Sequence, residues 1–146
     1  MFKHTITYVN NNKVETFQQF SEKKKAKSNF DKLYKAFLDF VKKELDMPEL
    51  PEIKLVDDKK VAKDRKSFGT YDGAVVVVNI ANRHPSDIFR TLAHELVHHK
   101  QNGEGRIKAD SGETGSDIEN EANATAGVVL RKFNRAYPAV FESVQR

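Results

Sequence analysis

The sequence predicts an α+β fold: a small, twisted, mostly antiparallel sheet backed by a helix, followed by two further helices. Three observations carry this. Residues 28–46 place Phe30, Leu33, Tyr34, Phe37, Leu38, Val41 and Leu45 at i, i+3, i+4, i+7 spacing, the pattern of an amphipathic helix. Residues 67–79 read as a β-hairpin built on an Asp72-Gly73 turn. Two later segments, near 87–101 and 117–136, are again helical in pattern. With 146 residues the chain can bury a proper core and is read as one domain, 1–146. Residues 1–50 supply an N-terminal hairpin and the backing helix, and 51–146 the sheet and the last two helices.

Each element has a local reason. His4 to Val9 alternate and are β-prone, Asn10-Asn11-Asn12-Lys13 is a turn, and Val14 to Phe17 is the expected return strand. Ser28 is the expected cap of the 28–46 helix, and Pro48 lies just beyond its end. Ile53 to Val56 is a short strand after Pro51, and the Lys/Asp-rich stretch 57–66 is a loop or ragged edge. The hairpin pairs Ser67-Phe68-Gly69-Thr70-Tyr71 with Ala74 to Asn79, whose valine run predicts a strand buried on both faces. Ser86 is the expected N-cap of the 87–101 helix, which stops near Asn102-Gly103. Glycines and polar residues make 102–115 a loop, and the last helix ends before Pro138.

Composition excludes several classes. No apolar run approaches the roughly 18 residues of a membrane span, and Met1-Phe2-Lys3-His4-Thr5 lacks a signal-peptide core. There are no cysteines, so disulfides and thiolate metal sites are excluded, and any metal must use histidine and carboxylate ligands. A cytoplasmic location is expected, with a phage-encoded or virion-associated setting as a further reading; no membrane partner is expected. The net charge is +4, with lysines clustered at 23–27, at 42–43 and over 59–66. Nucleic acid is therefore a secondary candidate partner; the simpler reading of such lysines is a solvated helix face plus a Lys-rich surface loop.

His94-Glu95-Leu96-Val97-His98 is an H-E-x-x-H pattern within the 87–101 helix. Residues four apart share a helix face, so His94 and His98 can grip one Zn²⁺ with Glu95 beside it as a general base. At about 100° per residue, His98 lies near 40° from His94, and Ile88, Phe89, Leu92 and Leu96 spread over about 120–220°. The histidines thus flank the buried face. His99 falls about 100° from His98 and is read as packed or hydrogen-bonded, outside the metal site.

A catalytic zinc site needs three protein ligands. The five histidines are at 4, 84, 94, 98 and 99, so none follows the motif, and the metzincin extension is absent because Gln101 and Glu104 stand in its place. A carboxylate is left. On the last helix, Ala122, Asn123, Ala126, Leu130 and Phe133 cluster within about 60° of Glu119, whereas Glu121 points about 200° away, toward Lys132 and Arg135. Glu119 is the expected third ligand, and Glu121 faces solvent. Ser116-Asp117-Ile118-Glu119 also spells a capping box, in which Glu119 closes the helix start. Asn123 is placed either to support a ligating imidazole or simply to fill a packing seam.

These features resemble the gluzincin metallopeptidases, in which H-E-x-x-H is followed by a glutamate on a second helix. The closest pattern is the small ImmA/IrrE-like type, with roughly E-x-E-A-N-x-x-A on that helix. Here the chain has Glu119-Asn120-Glu121-Ala122-Asn123-Ala124-Thr125-Ala126, and the likeness spans about 67–136. Thr125 departs from the pattern, where an aromatic is common, and the L-L-x-P ending is missing. The resemblance implies a minimal zincin-like fold, His94, His98 and Glu119 as zinc ligands, and Glu95 as catalytic base.

The expected function is zinc-dependent endopeptidase activity on a protein or peptide substrate. Zinc would acidify a water and polarise the scissile carbonyl, and Glu95 would carry the water's proton to the leaving amine. An edge strand within 74–79 would hold the substrate by β-augmentation. His84, Tyr71 and Tyr137 are candidate oxyanion donors. The alternative is a catalytically silent zincin-fold module of a larger assembly, phage-derived or associated with nucleic acid. A purely structural site would have no need of Glu95.

Overall fold

Four strands and three long helices make up most of the computed structural model. It describes residues 8–10, 17–62, 68–107 and 116–138, with side chains described for 29–60, 68–107 and 116–138. The chain order is β1 (Tyr8–Asn10), α1 (Phe17–Glu44), β2 (Glu52–Asp57), the single turn α2 (Lys59–Ala62), β3 (Gly69–Tyr71), β4 (Val75–Asn79), α3 (Pro85–Gly103) and α4 (Asp117–Ala136). The fold is α+β, as the sequence predicts.

The sheet is mixed rather than mostly antiparallel. Its order is β1-β2-β4-β3. β1 and β4 both pair parallel to β2, and β3 pairs antiparallel to β4. The reason lies in the connections. A long helix between β1 and β2 returns the chain to the end from which it started, which makes the pair parallel. Only β3 and β4 are joined by a tight turn. That turn shifts the expected register: an Asp72-Gly73 turn would set Tyr71 opposite Ala74, but Tyr71 pairs with Val76 and the two central residues are Gly73 and Ala74. The Asp72 N–H donates to the Val75 carbonyl at 3.4 Å, and the Asp72 carboxylate accepts from the Ala74 and Val75 N–H groups at 2.9 and 2.8 Å. Gly73 takes φ +103°, where a side chain would be strained.

The N-terminal region departs furthest from expectation. Tyr8–Asn10 pairs with β2, and Phe17 opens a helix where a return strand was expected; residues 4–7 and 11–16 of that hairpin lie outside the described residues. α1 starts eleven residues earlier than the apolar stripe implies, so Ser28 lies within the helix rather than at its start. Residues 17–27 are rich in Gln, Glu, Lys and Ala, strong helix formers that extend a helix without an apolar face. At its far end Asp46 adopts φ +52°, and Met47 N–H bonds back to Lys42 at 2.9 Å, closing the helix.

The buried apolar side chains of β2 and β4 lie on one face of the sheet. Ile53, Leu55, Val76 and Val78 are buried, whereas Glu52 and Lys54 are exposed. Val75 and Val77 are only half-buried, which corrects the expectation of a strand buried on both faces. α3 lies against β3 and β4, while α1 makes its closest approaches to α3 and α4. Phe37 stacks on Phe89 at 4.7 Å and meets Phe133 edge-on at 5.0 Å. Each such ring, fully buried, contributes about 1.5–3 kcal/mol. Among the described residues, no helix is long and apolar enough to cross a membrane.

The β4–α3 connection sets where the site-bearing helix begins. Asn79, nearly fully buried, accepts from the Asp58 and Ala81 N–H groups and donates to the Asp58 carbonyl. Arg83 reaches back to the Asn79 carbonyl at 2.9 Å and across to Thr91 at 2.6 Å. The cap of α3 is His84, not Ser86: its Nδ1 accepts the Ser86 N–H at 3.0 Å. Pro85 is pre-set for the first helical position and has no N–H to offer, which moves the cap two residues earlier, to His84.

Candidate metal centre

α3 and α4 run antiparallel, so the C-terminal half of α3 meets the N-terminal half of α4. Ala122 and Ala126 are buried at the seam, and these small side chains allow the close approach that the sequence pattern anticipates. Ser116 caps α4, its Oγ accepting the Glu119 N–H at 3.1 Å. The Glu119 side chain nevertheless points across to α3.

There it meets both histidines of the motif. His94 Nε2 lies 3.0 Å from His98 Nε2 and 3.3 Å from Glu119 Oε1, and His98 Nε2 lies 2.5 Å from Glu119 Oε2. One donor atom from each residue falls within 4.8 Å of the others. Tetrahedral zinc with bonds of 2.0–2.1 Å has ligand-to-ligand edges of about 3.3 Å, so the donor set and its spacing suit a zinc ion. Burial is the main force holding the His94 pKa down, with the His98 charge acting in the same direction against Glu119 and an Asn123 hydrogen bond. A neutral imidazole keeps the lone pair that a metal needs.

Glu95, next to His94 in sequence, is outside the group of three and nearly buried. Burial pushes its carboxyl up to about 7; His98 opposes the rise and the Glu119 charge adds to it. β3 passes directly over it. A Cβ on Gly69 would lie 2.5 Å from Thr91 Cγ2 and 3.3 Å from Glu95 Cγ. Gly69 is thus a positional requirement that the sequence reading did not extract, since a glycine within a strand signals close approach without saying to what.

Each imidazole is held by an amide. Asn123 hydrogen-bonds His94, one of the two roles its position allowed. His98 Nδ1 lies 2.9 Å from Gln101 Oε1. Gln101 is 1% exposed and was missed, although its place three residues after His98, on the same helix face, was a legible signal. Glu121 stays out of the group of three, as expected. Its charge partner is Arg106, at 2.8 and 2.7 Å, rather than Lys132 or Arg135, and this pairing, helped by Gln101, lowers its pKa to about 2. His99 is hydrogen-bonded to the Tyr71 hydroxyl at 2.8 Å and takes no part in the group.

A cleft of about 320 Å³ opens beside these residues, with Tyr71, Gly73, Glu95, His98, Asn102 and Glu119 in its walls. Of the three candidate oxyanion donors, only Tyr71 lines it. His84 sits about 15 Å back along α3 and Tyr137 about 27 Å along α4, at 1.5 Å per residue; Tyr137 stacks on Phe133 instead. The strand assigned to substrate also changes. β4 is paired on both sides, and the edge strand beside the cleft is β3. Of the lysine clusters, 23–27 and most of 59–66 fall outside the residues with described side chains, and Lys42 and Lys43 occupy the last turn of α1, where positive charge suits the helix dipole. Comparison with protein-family models, with curated proteins and with solved structures found no match for this chain.

Proposed function

We propose that this chain is a zinc-dependent endopeptidase of the gluzincin type, in which His94, His98 and Glu119 hold the metal and Glu95 is the general base. One observation carries the proposal: two imidazoles and a carboxylate from two helices converge within 4.8 Å, with a separate buried carboxyl on the wall of the same cleft. A metal site serving structure alone gains nothing from that fourth group.

A zinc ion supplies Lewis acidity, lowering the pKa of water and polarising a carbonyl. The chain's own residues supply the rest. Glu95 accepts a proton from the attacking water at its carboxylate and delivers it to the nitrogen of the leaving amine. In the metal-free protein burial raises the Glu95 carboxyl, which makes its carboxylate a better proton acceptor. β3 offers an edge along which an extended peptide can add as a further strand. Tyr71, on the wall of the same cleft, is the candidate donor to the oxyanion that develops on the carbonyl. The absence of cysteine fits a reducing, cytoplasmic setting.

The test pairs zinc titration with peptide cleavage. Glu95→Gln should bind zinc as the wild type does and lose cleavage by about 10²–10⁴-fold. Unchanged cleavage in that variant would remove Glu95 from the chemistry. Zinc binding by the wild type without turnover of a broad peptide library would assign the fold to a silent binding module instead.

A further inference from the structure

We infer that Gln101 and Glu121 form a hydrogen-bond relay that fixes the His98 imidazole in the tautomer a metal ligand needs, with Arg106 as its outer anchor. The inference rests on the reading of His98 as a ligand, but the relay itself is a property of the metal-free protein.

The argument is one of polarity. A glutamine amide presents one acceptor oxygen and one donor nitrogen. The Gln101 Nε2 lies 3.2 Å from the Ile118 carbonyl oxygen and 3.1 Å from Glu121 Oε1. Both of those atoms only accept, so the nitrogen must face them. Turning the amide over would set its oxygen against two other oxygens and cost the nearly fully buried Gln101 amide its hydrogen bonds there. The Gln101 oxygen therefore faces His98 Nδ1, at 2.9 Å. An oxygen there can only accept, so Nδ1 carries the hydrogen. Nδ1 therefore keeps its hydrogen, and the proton that Nε2 shares with Glu119 in the metal-free protein is the one a metal would displace, since Nε2 is the atom directed at His94 and Glu119.

Glu121 enters because Gln101 needs two acceptors for its two N–H bonds. Arg106 grips both Glu121 carboxylate oxygens, and its backbone N–H donates to the Gln101 carbonyl at 3.0 Å. The turn after α3 is thereby closed onto the residue that orients His98. Glu119 and Glu121 thus serve one centre from opposite faces of α4, the first by direct contact and the second through Gln101. Glu121 and Gln101 are positioning residues.

Two measurements on the full chain test this. Histidine ¹⁵N NMR of the metal-free protein should show a proton held on His98 Nδ1, and Gln101→Leu should lose that preference. Zinc affinity, read by competition with a chelator, should fall about 10–100-fold in Gln101→Leu and by a smaller factor in Glu121→Ala. Adding Glu121→Ala to Gln101→Leu should change the affinity no further, since the two act in series. Gln101→Met serves as a second variant, and circular dichroism checks that each is folded. Full additivity, or an unchanged His98 tautomer in both Gln101 variants, would overturn the relay. If the wild type binds no zinc, the metal reading fails, while the tautomer measurement still decides the relay.

Discussion

The α3–α4 pair has two unlike ends. At one, Phe89 and Phe133 meet edge-on at 5.7 Å, and Phe37 from α1 closes the layer. At the other, the same helices bring together His94, His98, Glu119, Gln101 and Asn123. The packing geometry is shared; the chemistry is not. The aromatic end removes apolar surface from water and stabilises the fold. The polar end gathers groups whose desolvation opposes folding, as the raised Glu95 pKa records. The aromatic layer thus supplies the stability against which the polar convergence is held.

The largest effect should come from the aromatic end. Phe133→Ala removes a fully buried ring in contact with Phe37, Phe40 and Phe89, at about 3–5 kcal/mol of stability. Urea unfolding of the metal-free protein measures it. Zinc affinity of the folded variant should stay within about twofold of wild type, because the two ends are separate sites. A drop as large as that caused by removing a ligand would mean that the two ends are not separable.

Glu119→Ala breaks the comparison from the other side. Zinc affinity should fall by more than about 100-fold, beyond the loss from any group that merely supports a ligand. Stabilisation by added zinc, seen as a rising Tm in the wild type, should disappear. Unfolding of the metal-free protein should shift far less than in Phe133→Ala. A zinc-dependent Tm retained in Glu119→Ala would place the third ligand elsewhere.

The smallest effect is expected on pH. Glu121 titrates near 2 in the folded chain, below its ordinary value of 4.5, chiefly because Arg106 bonds its charged form. A depressed carboxylate contributes stability above about 4.5 that is lost as pH falls toward 2. Glu121→Gln should therefore lower stability slightly above about 4.5 and flatten the acid limb over that window, the two proteins converging as pH falls toward 2. The pair is exposed and screened, so the difference stays small. An identical acid limb in both proteins would show that the ion pair does not act in solution.

Legibility in the sequence was uneven for physical reasons. His94, His98 and Glu119 share helix faces set by a fixed angle per residue, so periodicity and the absence of later histidines sufficed to put them together. The helix 117–136 was readable because Ser116 and Pro138 mark its ends. The N-terminal region was not. Lys-rich residues 17–27 carry propensity but no apolar stripe, so a rule built on the stripe begins α1 too late. The strand pairing depended on what joins the strands, and misjudging the start of α1 turned a parallel crossover into an expected hairpin.

What the sequence alone determined is the list of donor types, their helices and the faces they occupy, because these follow from backbone geometry within single elements. Only the tertiary structure decided how the elements meet. It put β3 rather than β4 at the edge over Glu95, linked Glu121 to Arg106 and Gln101, and turned the Gln101 oxygen toward His98. Each of these joins residues on different elements or fixes a side chain by its neighbours, and no periodicity within one segment encodes either.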